Sequence, residues 1–276
     1  VLFVTGGYAS VPVALAAWIL RVPIMVYLPD IEPGLAVRFI SRLATRVAVT
    51  TDDSRAFFPA QKVVVTGYPV RPELADVDEA AARDTFDLSP DAVVLLVFGG
   101  SHGARSINEA VTKDLEDLLQ EAEVIHLSGE LDWPWVSQRA DELPADLRAR
   151  YRPYAYLHED MGAALAAADL AVCRAGASTL GELPHFGLPA ILVPYPHAWR
   201  YQRVNAEWLA NQGAAMMLKD ELLETELLSV VRNCISDRHR LAQMRIQARA
   251  LSRPDAAASL AAELRSLAGY GAEEGA

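Results

Sequence analysis

The sequence predicts an α/β protein built of two Rossmann-like domains, and three observations carry that prediction. Short apolar runs such as Val93 to Phe98 and Leu170 to Cys173 have the length and composition of buried parallel strands. They alternate with helical stretches, and the turns between them are rich in small residues, as at Gly99-Gly100 and Ala175-Gly176-Ala177. The chain, at 276 residues, is long enough for two domains that each bury a core.

Taken in order, Val1 to Val4 reads as a strand that turns at Gly6-Gly7-Tyr8. Tyr8 to Pro29 is almost uncharged, but Arg21 and Pro23 break it near the middle, which argues against a membrane span. A buried helix over Val13 to Leu20 and a strand over Ile24 to Tyr27 account for it. No signal peptide precedes this segment, and the chain opens at Val1, already inside an apolar run, without a Met. Either a non-standard start codon is written as Val, or the N-terminal domain lacks its beginning.

Leu35 to Val47 carries apolar residues at 35, 39, 40, 43 and 47, a helical stripe. Arg38, Arg42 and Arg46 follow at four-residue steps and would form a basic stripe beside it. That stripe is either a solvated helix face or a patch for anionic headgroups. Lys62 to Thr66 is a further strand. Residues 73 to 90 are acidic and alanine-rich, which places a boundary near 74 and predicts domains over 1–74 and 75–270. Asp76-Val77-Asp78 lies in that run and follows no strand, so it reads as a solvated linker and not as a metal site.

The second domain opens with Val93 to Phe98, the turn Gly99-Gly100-Ser101-His102-Gly103-Ala104 and a helix to about Gln120. Strand, glycine turn and helix give the context of a phosphate loop, with free N–H groups at the helix start. The spacing is neither a Walker A motif nor the dinucleotide GxGxxG. Asn108 reads as packing. Glu123 to Ser128 is a strand, Leu131 to Arg150 a peripheral helical segment, and 220 to 268 a set of amphipathic helices that close the domain. Leu170 to Cys173, a helix from Ser178-Thr179 to Gly187 and Ala190 to Val193 form a βαβ unit with its small-residue turn at the strand's carboxyl end, where open α/β sheets bind ligands. Within it, Thr179-x-x-Glu182 has the pattern of a capping box, while Glu182 is also an ionised double acceptor suited to a ribose diol.

The net charge of -11 argues against nucleic-acid binding. Cys173 and Cys234, the two cysteines, have no metal-ligand spacing and suit a reducing compartment, and the six histidines form no HExxH motif. No metal and no cofactor is expected.

CRAGASTLGE (173–182), GLPAILVPYPH (187–197) and Gln202-x-x-Asn205 resemble the MurG-type enzymes of glycosyltransferase family 28, and so do GGY (6–8), TGYPVRP (66–72), GGSHGA (99–104) and the loop 154–161. The resemblance covers most of the chain. It implies the GT-B arrangement, with two Rossmann-like domains facing across a cleft, and an inverting transfer of N-acetylglucosamine from UDP-GlcNAc to the 4-hydroxyl of an undecaprenyl-diphosphate-linked muramyl-pentapeptide. It also implies a cytoplasmic enzyme, peripheral on the inner face of the cell membrane, where Arg38, Arg42 and Arg46 would meet anionic lipid.

The resemblance assigns the donor to Arg71, Ser101, His158, Arg174, Ala177, Ser178, Thr179, Glu182, His197, Gln202 and Asn205, with Gly99, Gly100 and Gly103 as phosphate loop. Arg71 would pair with the diphosphate, His197 would contact a phosphate or hold its loop, and Gln202 and Asn205 would read the sugar. Tyr27 and Asp30 stand where the family has His and Asn, and Tyr68 where it has Asn. No catalytic base is evident, and Asp30 is the carboxylate best placed to act as one. The alternatives are a related UDP-sugar-dependent glycolipid synthase, a UDP-GlcNAc epimerase, or a non-catalytic UDP-sugar-binding module completed by a partner chain.

Overall fold

The computed structural model describes residues 1–74, 77–100, 103–197 and 200–270. The chain divides into two compact units, 1–70 with 253–276, and 71–252. The break falls close to the expected boundary near 74. The return of the C-terminal segment to the first unit corrects the expected second domain of 75–270.

In the first unit, β1 (Leu2–Val4), α1 (Ser10–Ile19), β2 (Ile24–Leu28), α2 (Leu35–Leu43), β3 (Arg46–Val49) and β4 (Val63–Val65) follow one another. Among the described residues the strands form a parallel sheet of order β1-β2-β3-β4. The period of two along each strand sorts its side chains by face. Ile24, Val26, Leu28, Val47 and Val49 pack with Ala14 and Ala17 of α1 and with Val37 and Ile40 of α2. The alternate residues Met25, Tyr27 and Ala48 face the other way. Both faces are covered, which is why these strands read as continuous apolar runs.

α2 ends at Leu43, not at Val47. Ala44 turns extended, the Thr45 N–H donates to the Ile24 carbonyl at 2.8 Å, and the β-branched run that follows enters the sheet as β3. Arg46 therefore lies on a strand, and the three-arginine helical stripe does not form. Arg46 pairs with Glu263 at 3.2 Å, whereas Arg38 pairs with Glu32 at 3.2 Å and lies over the Phe57 ring.

The second unit runs α3 (Glu79–Thr85), β5 (Val94–Phe98), α4 (Arg105–Lys113), α5 (Leu115–Glu121), β6 (Glu123–Leu127), α6 (Trp133–Asp141), α7 (Ala145–Arg148), β7 (Tyr151–Tyr154), α8 (Met161–Ala167), β8 (Leu170–Cys173), α9 (Thr179–Phe186), β9 (Ala190–Leu192), α10 (Tyr201–Asn211), β10 (Ala215–Met217), α11 (Leu223–Ser236) and α12 (Arg238–Ala250). β7 and β10 are strands that the sequence pattern did not reveal. Asp78 caps α3 by accepting the Ala81 N–H at 3.0 Å; Asp76 lies outside the described residues.

Among the described residues the second sheet is parallel, with order β10-β9-β8-β5-β6-β7. Numbered from β5, that is the doubly wound order 3-2-1-4-5-6, which reverses direction between β5 and β8. Leu95, Val97, Val124, Leu170, Val172 and Ile191 pack there against Ile107 and Val111 of α4 and against Leu227 and Val231 of α11.

The last helix, α13 (Ala256–Leu267), lays Leu260, Leu264 and Leu267 on the face of the first sheet that carries Met25, Tyr27 and Ala48. The Arg46–Glu263 pair fastens it there. Tyr27 is part of this core. Its hydroxyl meets Thr50 Oγ1 at 3.0 Å and donates to the Gly67 carbonyl at 3.1 Å, and burial pushes its pKa up. The Tyr that replaces the family's His is thus a packing residue.

Candidate functional site

The switch point makes neighbours of two loops that the sequence keeps some seventy residues apart. β5 ends at Phe98, which pairs in register with Cys173, the last residue of β8. The glycine loop leaves the first strand here and the 174–178 turn leaves the second. Parallel strands diverging into crossovers on opposite faces open a crevice at this point, and ligands of doubly wound sheets occupy it.

The glycine loop is shaped by close backbone approach. A Cβ on Gly99 would lie 2.2 Å from the Ala104 nitrogen, and one on Gly103 would lie 2.1 Å from the Ser128 carbonyl oxygen. Gly103 also has φ +76 and donates its N–H to the Gly100 carbonyl at 3.0 Å. Among the described residues nothing lies within 4 Å of a Cβ built on Gly100. α4 starts directly after, and among the described residues no side chain caps its first turn, where N–H groups suit an anion. Ser101 lies outside the described residues.

Facing it, α9 begins at Thr179 with Ser178 at the N-cap position, and again no side chain caps the helix. Thr179 donates its hydroxyl to the Gly176 carbonyl at 2.6 Å, so the Thr179–Glu182 capping box is not formed. Glu182 is instead hydrogen-bonded by Ser178 and lies in the field of Arg71. Burial is the larger influence and pushes its carboxyl above the ordinary glutamate range, while Ser178 and Arg71 pull it back. Arg71 itself is exposed. Ala177 and Ser178 are half-buried at the mouth of the turn.

Several predicted residues hold the site from behind. Arg174 donates to Asp220 at 2.5 Å, to the Val193 carbonyl at 3.2 Å and to Ser106 Oγ at 2.8 Å, and lies over the Tyr195 ring. Ser106 in turn donates to Asp220 at 2.8 Å. This triad braces the first turn of α4 against the ends of β8 and β9. Asn205 is fully buried and donates to the Ala175 carbonyl at 3.2 Å. It shapes the small-residue turn from inside the protein, a structural duty beside the sugar contact that the resemblance implies. The Gln202 side-chain oxygen accepts the Tyr195 N–H at 2.9 Å and so fixes the loop that carries His197.

His158 and His197 are exposed, on the loops after β7 and β9. Each meets a tyrosine edge-on, Tyr156 at 4.8 Å and Tyr195 at 5.4 Å. In the first unit, Gly6 and Gly7 both accept the Ser10 hydroxyl, at 2.8 and 2.7 Å. Asp30 is half-buried just past the end of β2, close enough to Tyr27 to influence it. Among the described residues no three His, Cys, Asp or Glu side chains gather as a metal site would require.

Residues 94–260 match the Glycosyltransferase family 28 C-terminal domain. The chain belongs to glycosyltransferase family 28. A relative from Roseiflexus sp. (strain RS-1), named UDP-N-acetylglucosamine--N-acetylmuramyl-(pentapeptide) pyrophosphoryl-undecaprenol N-acetylglucosamine transferase, is 43% identical over 95% of this chain and 68% of its own length. One of the same name from Salinibacter ruber is 39% identical over 96% of this chain and 70% of its own. The crystal structure of Acinetobacter baumannii MurG superposes with a TM-score of 0.78 at 28% identity, covering 96% of this chain and 74% of that one. The UDP-GlcNAc 2-epimerase of Neisseria meningitidis, at 13% identity and a TM-score of 0.69, shares the fold. These likenesses place both units in the GT-B class that the family 28 motifs imply.

Ser106, Asp220, His126 and Tyr151 carry no motif in the sequence, and Asn108, expected to pack, is buried and hydrogen-bonded to His126. His126 is fully buried, and burial pushes its pKa down to about 4 from the usual 6.5. A histidine held neutral in the fold but free to charge when unfolded stabilises the native state above pH 6.5 and loses that contribution as pH falls toward 4. The loss amounts to about 3 kcal/mol. Denaturant melts between pH 7 and 4 should show it, and His126→Gln should flatten the slope; an unchanged slope in the variant would assign the acid sensitivity elsewhere.

Proposed function

We propose that this protein is an inverting glycosyltransferase of peptidoglycan precursor synthesis. It moves N-acetylglucosamine from UDP-GlcNAc to the 4-hydroxyl of undecaprenyl-diphosphate-linked N-acetylmuramyl-pentapeptide. The reading rests on relatives named for this transfer at 43 and 39% identity over nearly the whole chain. The geometry at the β5–β8 switch point supplies its physical basis.

The diphosphate of the donor lies against the uncapped start of α4 and the glycine loop, with Ser101 and Arg71 as further donors. Glu182 accepts from the ribose hydroxyls, and Ala177, Ser178 and Thr179 form the turn that lets the nucleotide approach. Arg174, Gln202 and Asn205 keep the surrounding loops in place, while His158 and His197 line the approach. As the acceptor oxygen bonds to the anomeric carbon, the bond to UDP breaks. Charge growing on the leaving diphosphate is met by donors already in position, which is where such a site lowers its barrier most. The acceptor proton needs a base, and Asp30 is the candidate carboxylate for it.

The assay is transfer of labelled N-acetylglucosamine to the lipid-linked muramyl-peptide. Asp30→Asn should lower turnover by about 10²–10⁴-fold while leaving UDP-GlcNAc affinity unchanged. Label appearing on diacylglycerol, or as a free epimer, would overturn the assignment; undiminished turnover in Asp30→Asn would remove it as the base.

The same reading places the protein as a peripheral enzyme at the cytoplasmic face of the membrane. Among the described residues no helix is long and apolar enough to cross a bilayer. α1 leaves Trp18 and Ile19 exposed, as is Leu20 just past its end, and the adjoining α2 exposes Leu35, Phe39 and Arg42. Apolar side chains beside a cation suit an anionic surface. Trp18→Ser with Ile19→Ser should abolish co-sedimentation with anionic vesicles; unchanged sedimentation would leave this face without that role.

A further inference from the structure

Behind the glycine loop lies a chain of buried polar side chains. The Tyr151 hydroxyl meets His126 Nδ1 at 2.7 Å, and His126 Nε2 meets Asn108 Oδ1 at 3.0 Å. Asn108 Nδ2 donates to the Ser128 carbonyl and to Asp132 Oδ2, both at 2.8 Å. Asn108, His126 and Ser128 are wholly buried, Tyr151 and Asp132 almost so. Polar groups in a core are costly unless every one is satisfied, and an apolar set of the same volume would stabilise the sheet more simply.

The hydrogen bonds have one direction. Both protons of the Asn108 amide are committed, so its oxygen accepts from His126 Nε2–H. His126 Nδ1 must then accept from Tyr151, which requires the neutral Nε2–H tautomer. The chain ends at two places that touch the loop. The Ser128 carbonyl is the atom against which Gly103 packs. Asp132 Oδ1 receives Arg105, the first residue of α4, at 3.2 Å.

We propose that Asn108, His126 and Tyr151 are positioning residues for the phosphate loop. Through the Ser128 carbonyl and Asp132, they hold Gly103 and the first turn of α4 in the geometry that receives a nucleoside diphosphate. The inference rests on the donor site proposed above and adds the residues that set it.

The test compares UDP with uridine, because a positioning role acts on the diphosphate and a purely structural one acts on both ligands. Calorimetry on the full chain first establishes the wild-type preference for UDP. Equal wild-type affinities would overturn the phosphate-loop reading itself, whatever the variants do. Asn108→Asp keeps the shape and the acceptor for His126 but turns an oxygen toward the Ser128 carbonyl. UDP affinity should fall about tenfold or more and uridine affinity less than about twofold. Tyr151→Phe, a milder change at the far end, should shift the same ratio in the same direction by about threefold. It should also alter the nitrogen NMR signals that report the His126 tautomer. Equal losses for UDP and uridine, or an unchanged ratio in folded Tyr151→Phe, would overturn the proposal.

Discussion

Glu182→Gln should weaken UDP-GlcNAc binding by about ten- to a hundredfold while leaving the fold intact, the loss of a charge-assisted hydrogen bond. The amide keeps the shape of the side chain and one acceptor oxygen, so a structural duty would survive the exchange. A capping duty is absent in any case, because Thr179 turns its hydroxyl to the Gly176 carbonyl and no side chain caps α9. The carboxylate is half-buried with Ser178 and Arg71 about it, an arrangement that holds an acceptor ready for a ligand. Because burial raises its pKa, protonation on acidification begins above the ordinary glutamate range. Affinity is complete where the group is ionised and falls as pH drops through that pKa, and the Gln variant should lose this dependence. Calorimetry at two pH values decides it. Equal affinities for the two proteins would deny Glu182 any part in the nucleotide site.

Gly103→Ala should be strongly damaging to the second unit. Its Cβ would sit 2.1 Å from the Ser128 oxygen, a backbone atom that cannot swing aside, at a φ of +76 that disfavours any side chain. Overpacking and left-handed strain together should cost about 2–5 kcal/mol. UDP binding should disappear in whatever fraction remains folded, since relief of the clash displaces the start of α4. Gly100→Ala is the control, with φ +89 but no neighbour within 4 Å among the described residues, and should cost only the strain, about 1–2 kcal/mol. Chemical denaturation of both variants tests the comparison. A Gly103→Ala protein as stable as Gly100→Ala would show that the Ser128 contact does not set the loop.

Most of the fold and part of the site were legible in the sequence. The runs at 94–98 and 170–173 are strands, and the glycine and small-residue turns follow them as expected. Where the reading failed, a distant partner had outweighed a local pattern. The apolar spacing that suggested a helix to Val47 is real as far as Leu43; beyond it, pairing of Arg46–Val49 with β2 takes over. Gln202 and Asn205, three apart on one helical face, looked alike, yet Asn205 is buried against Ala175 while Gln202 holds a loop. Asn108 passed for packing because its partners lie 18 to 24 residues away.

The sequence by itself determined the α/β class, the glycine loop, the small-residue turn and membership in a family of nucleotide-sugar enzymes. These depend on near neighbours: period along a strand, residues that permit a turn, and hydrophobic runs long enough to be buried on both faces. Only the tertiary structure decided that β5 and β8 lie side by side, that α13 completes the first unit, and that Tyr27 and Asn205 are internal. It alone also linked Tyr151 through His126 to Asn108 and the phosphate loop. Each of these is a choice of partner between segments far apart in the chain. Such a choice is made by the competition of packing and hydrogen bonding over the whole domain, which leaves no periodic trace in the residues on either side.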